Sequence, residues 1–140
     1  MAYSLGDPFR PLRLVMRLNG SLLGLVGGFA LLALRQSRLV DLGILQGESG
    51  WPLRLAGAAL IALGIFLILA ANERTIELSV LVSMVVAHAL FALVLLNSYL
   101  RDEFAGLNLF GQFLIIVIFI LCLIGAVSPL RYFQAEYRPY

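Results

Sequence analysis

The sequence contains no lysine, one cysteine, one histidine and one tryptophan. Only 13% of its residues are charged, against about a quarter in soluble domains. Each shortage excludes something. The single Cys122 cannot form an internal disulfide, and without a CxxC pair it offers neither a zinc site nor a dithiol redox centre. It reads as a small packing residue. The basic residues are ten arginines spread over termini and loops, with a formal net charge of +2. A nucleic-acid footprint needs a clustered basic face, so a nucleic-acid partner is not expected. GxSxG, Walker A and HExxH motifs are absent, and no carboxylate pair lies inside an apolar run. The chain is therefore not read as an enzyme, and no catalytic residue, cofactor or metal-ligand set is assigned. No internal repeat or low-complexity segment appears.

What the chain has instead is apolar residues, 61% of the total. They fall into four runs: Leu18 to Leu34, Leu55 to Ala71, Leu78 to Leu96 and Leu109 to Leu130. Each is close to the roughly 20 residues that cross a bilayer core of about 30 Å. A chain in hydrocarbon must satisfy its own backbone hydrogen bonds, so each run is predicted to be a helix. The expected fold is all-α: one domain over residues 1–140, a four-helix transmembrane bundle with helices over about 14–34, 53–71, 76–97 and 108–130. The opening segment MAYSLGDPFRPLRLVMRLNG is followed by too long an apolar run, and no A-x-A-like site, to be a secretory signal. The first run is expected to remain as an anchor.

The connections differ in character. The long first loop mixes Leu39, Val40, Leu42, Ile44 and Leu45 with Arg38, Asp41 and Gln46, which suits a short segment lying in the interface. Trp51 belongs at headgroup level, and Pro52 suits the first turn of the second helix. The tight NERT turn predicts that the second and third helices pair as an antiparallel hairpin. The tail RYFQAEYRPY has the aromatic and basic character of an interfacial anchor. Four spans put both termini on one side. That side holds Arg10, Arg13, Arg17, Arg74, Arg131 and Arg138, against Arg35, Arg38, Arg54 and Arg101 opposite. The excess favours cytoplasmic termini.

Few residues could carry chemistry. Gly20, Gly24 and Gly28 form GxxxGxxxG, a face that lets another helix approach closely, within this chain or outside it. Arg17 and Glu77 enter the membrane from the same side and are predicted to pair. The alternative is that each snorkels separately to the headgroups. His88 sits near the middle of the third run, in SMVVAHALFALVLLNS. Glu77 shares its face about three turns away, but roughly 16 Å along the axis, so the two cannot touch. Asn19 is placed with the arginines on the terminal rim, and Asn108 and Gln112 on the far rim.

An intramembrane histidine could ligate a pigment or haem, pass protons, or hydrogen-bond a neighbouring helix. Haem usually takes two axial ligands, and this chain has no second histidine. A chlorophyll needs only one. The favoured reading is a neutral imidazole bonded to a serine, an asparagine or a backbone carbonyl of another helix. His88 is thus the one candidate for a binding residue.

Arg17 with the ladder Gly20, Gly24, Gly28, the long first loop and RLAGAALIALG opening the second helix resemble the small four-helix membrane proteins of the DoxX-like type. That resemblance implies a link to electron-transport and quinone systems and carries over no catalytic residue. In size, small-residue faces and aromatic tail the chain is also similar to accessory subunits of bacterial respiratory and photosynthetic complexes. The expectation is a non-catalytic subunit of such a complex in a bacterial cytoplasmic membrane. Its partners would be membrane lipids and other integral subunits of a hetero-oligomer, with the glycine face of the first helix, or the second helix, as the contact. The alternative is binding or transport of a quinone, lipid or small solute within the bundle, which requires a cavity reaching His88.

Overall fold

A computed structural model describes residues 9–42, 50–73 and 75–136. The described residues are all helical or connecting, with no strand. Helix α1 runs Arg10–Ala33, with a π-helical stretch over Gly20–Gly27, and α2 is the short Gln36–Asp41. Helices α3 (Trp51–Asn72), α4 (Leu78–Leu100), α5 (Leu109–Val127) and α6 (Leu130–Glu136) follow. Four segments are long and apolar enough to cross a membrane: Arg10–Ala33, Trp51–Asn72, Leu78–Leu100 and Leu109–Phe133. The protein is a multi-pass membrane protein by this measure.

Local chemistry sets the ends. Pro11 and Pro52 sit in the first turns of α1 and α3, where a missing N–H leaves no helical bond unmade. Asn108 caps α5, its Oδ1 accepting from the Gly111 N–H at 2.8 Å. At the end of α4 the Glu103 N–H donates back to Ser98 and the Asp102 N–H to Tyr99, with Asp102 at φ 55°. This is the αL closure normally made by glycine, and aspartate is one of the few residues that accepts it. Pro129 then ends α5, because it has no N–H to continue the ladder, and α6 restarts one residue later.

The first span begins at Arg10 rather than near residue 14, so Arg10, Arg13 and Arg17 ride on the helix itself. Arg13 is tied to the end of α3 by hydrogen bonds to the Ala71 and Glu73 carbonyls, and Arg17 by one to the Asn72 side chain. The interfacial segment expected in the first loop is represented by α2, whose Leu39 is buried. Its continuation through Ile44, Leu45 and Gln46 lies outside the described residues, as do Arg74 and the end of the aromatic tail.

The tight backbone pairs are α1 with α3 and α4 with α5. The close pairing expected between the second and third helices is not among them. Glycine explains the difference. Gly20, Gly24 and Gly28 of α1 face Gly64 and Gly57 of α3 so closely that a Cβ on Gly20 would lie 2.9 Å from the Gly64 oxygen. One on Gly28 would lie 2.6 Å from the Gly57 oxygen. Helix α4 contains no glycine and cannot approach α3 in this way. The GxxxGxxxG face is therefore spent inside the chain.

Two apolar clusters stack along the bundle. Leu12, Met16, Leu67, Ala71, Leu81 and Met84 form one, toward the terminal side. Leu23, Ala92 and Cys122 form the other. Substituting Gly24→Leu forces a side chain into the Gly64 backbone and is expected to cost about 1–3 kcal/mol, read as a lower thermal unfolding midpoint in detergent. Gly27, on the open side of the same stretch, is the control, and Gly27→Leu is expected to leave the midpoint unchanged. Equal effects would contradict the glycine packing.

Candidate functional site

Between the two apolar clusters lies the only buried polar pair found among the described residues. Asn19 is 1% exposed and His88 0%. Asn19 stands on α1 in one stripe with Leu12, Met16 and Leu23, spaced four, three and four residues apart, so it points where they point. His88 occupies the corresponding inner stripe of α4 with Leu81, Met84 and Ala92. The third wall is α5. Gly125 lies against both, and a Cβ there would come within 2.6 Å of Asn19 Nδ2 and 2.6 Å of His88 Cγ. Only glycine leaves room for the pair.

The hydrogen bonds define the chemistry. His88 Nδ1 is 2.8 Å from the Met84 carbonyl oxygen, one turn back on its own helix. A carbonyl can only accept, so Nδ1 carries the proton. Asn19 Nδ2 is 3.1 Å from the Leu121 carbonyl of α5 and 3.2 Å from His88 Nε2. The same argument fixes the amide orientation, because only the NH2 group can face Leu121. Its second N–H then donates to His88 Nε2. Both ring nitrogens are engaged, and the imidazole is held as the neutral Nδ1–H tautomer.

This arrangement does not fit an axial ligand for haem or chlorophyll. The lone pair that would bind a metal is already accepting from Asn19, and Gly125 closes the remaining space. The imidazole is fully buried. A groove of about 550 Å³ is lined by Leu25, Phe29, Ala33 and Ile61, and a smaller one of about 230 Å³ by Tyr99, Asp102, Gln112 and Ile116. Neither includes His88 or Asn19. No group of three His, Cys, Asp or Glu side chains forms among the described residues.

The expected Arg17–Glu77 pair does not form. Arg17 donates to Asn72 Oδ1 at 2.9 Å, and Glu77 accepts from the Ser79 hydroxyl at 3.1 Å. Geometry separates them. Arg17 lies on the side of α1 that faces the end of α3, whereas Glu77 precedes α4, which meets α1 at the Asn19 stripe. The exposed Glu77 carboxylate instead sits at the start of α4, where the helix dipole favours an anion. On the far rim, Asn108 caps α5 and also reaches toward the Asp41 carbonyl, while Gln112 donates to the Leu107 carbonyl.

Asn19 is the residue that the sequence reading misplaced, and Gly125 the one it passed over. The uninterrupted apolar run begins at Leu18, which places Asn19 at the rim. The signal that places it inside is the stripe Leu12, Met16, Asn19, Leu23. No protein-family model, curated protein or solved structure matches the chain.

A double-mutant cycle on Asn19→Leu and His88→Phe checks the pair. Inter-helix hydrogen bonds in membranes couple by about 0.6 kcal/mol on average and up to about 1.7. A coupling in that range is expected from thermal or denaturant unfolding. Strict additivity of the two substitutions would contradict the bond.

Proposed function

We propose that the chain is a non-catalytic integral subunit of a larger membrane assembly, whose work is to present helix faces to partner subunits and to complete the lipid boundary around them. One observation carries this reading. The single intramembrane histidine, the residue best suited to chemistry, has both nitrogens used in hydrogen bonds that hold the chain's own helices together. Gly125 packs against it, and neither of the two grooves described above includes it. What remains for interaction is the outer surface, which is apolar: Val26 and Phe29 on α1, Leu90 and Leu93 on α4, and Leu109 and Phe113 on α5 are exposed.

The reading differs from the sequence expectation in one respect. The contact to a partner cannot use the glycine face of α1, because that face is covered by α3. It falls to the outer faces of the four spans, that of α3 with Leu55 and Leu69 included. The electron-transport setting and the bacterial cytoplasmic membrane, with termini on the cytoplasmic side, come into the proposal from the resemblance and from the arginine distribution. Small-molecule binding beside His88 is disfavoured by the packing around it.

Mild detergent extraction of the native membrane tests the proposal, followed by affinity recovery of the chain, mass spectrometry and an optical spectrum of the eluate. Stoichiometric recovery with larger integral subunits is expected. Recovery of the chain alone and colourless would overturn the subunit reading.

A further inference from the structure

Among the described residues, no acidic side chain pairs with Arg10 or Arg17 at the terminal rim of α1. Arg10, Arg13 and Arg17 follow at spacings of three and four residues, so all three lie on one side of the helix. Arg13 reaches the Ala71 and Glu73 carbonyls and Arg17 the Asn72 amide oxygen. The Asn72 amide oxygen is uncharged, so it orients the Arg17 guanidinium along the seam between α1 and α3 without cancelling its charge. Arg10 and Arg17 are exposed. Arg10 follows Phe9, whose ring stacks on that of Tyr132 with centroids 5.2 Å apart, and Arg17 stands at the end of α3. Aromatic rings of this kind mark headgroup depth.

From this we infer that the α1–α3 seam binds the headgroup of an anionic phospholipid, with Arg10 and Arg17 as its phosphate contacts. Three facts converge. Guanidinium groups match phosphate oxygens in a planar, two-pronged geometry. Arg10 opens its span, and Arg17 is bonded to Asn72, the last residue of α3. Arg17 is held in place by Asn72, so little of its freedom is lost on binding. A zwitterionic headgroup also has a phosphate, but its own cation opposes the arginines. The site therefore selects lipids with net negative charge.

The experiment uses the full chain in detergent with added phosphatidylglycerol or phosphatidylcholine, read by native mass spectrometry. Phosphatidylglycerol adducts are expected to dominate. Each arginine near an anionic headgroup is worth about fivefold in affinity, so Arg10→Gln should reduce the adduct about fivefold, and Arg10→Gln with Arg17→Gln about 25-fold. The Arg10 side chain is exposed and makes no hydrogen bond found among the described residues, so its substitution should not disturb folding, and the single variant alone tests the proposal. Arg54→Gln, exposed on the opposite rim, should have no effect. Equal retention of the two lipids would overturn the proposal. So would an equal loss with Arg54→Gln, or displacement of the adduct by inorganic phosphate at the same concentration, which would mark a site for free phosphate.

Discussion

Asn19 donates two hydrogen bonds inside the bundle, one to the His88 imidazole of α4 and one to the Leu121 carbonyl of α5. The two tight helix pairs, α1 with α3 and α4 with α5, meet through this amide. Apolar contacts hold the pairs together from both sides, but they specify register loosely, because methyl groups are interchangeable over a turn. A buried amide and imidazole are not interchangeable. Each donor and acceptor must be met, or the group is stranded in a medium that cannot solvate it. The polar pair thus fixes how the halves of the bundle sit against each other, and the apolar clusters above and below it follow.

Glycine makes both levels possible. Along α1 and α3 it lets two backbones touch, and at Gly125 it clears a space for side chains that would otherwise collide with α5. The same residue type therefore builds the tight pair and admits the polar tie. The arginines of α1 add a third constraint at the membrane surface, where Arg13 and Arg17 secure the end of α3. Without that capping, the last carbonyls of α3 would face the interface unpaired.

The architecture was legible in the sequence because hydrocarbon leaves so few options. Four apolar runs of spanning length can only be helices, and the glycine ladder announces a close partner. Which partner was not legible, since the complement, Gly57 and Gly64, is spaced by seven and reads as scattered small residues. The pairing of consecutive helices was misjudged for the same reason. A tight turn brings α3 and α4 into sequence proximity, but approach is set by the faces, and α4 has no glycine face to offer α3. His88 was legible as a polar residue needing a partner. Its partner was hidden by where the first span was taken to begin. Starting at Leu18 makes Asn19 a rim residue, whereas starting at Arg10 puts it deep inside. An arginine near a span's end reads as a boundary by hydropathy alone, even when it is folded back along the helix to bond a neighbour.

The tautomer of His88 gives the most direct test of the central claim that its imidazole is a helix-to-helix hydrogen-bonding group rather than a free site. Nitrogen-15 solid-state NMR of the full chain, labelled at histidine and held in a bilayer at neutral pH, reads both ring nitrogens separately. The structure predicts one protonated Nδ1 and one unprotonated, hydrogen-bonded Nε2 that couples to the Asn19 amide. A proton on Nε2, or two equivalent nitrogens exchanging with water, would contradict it.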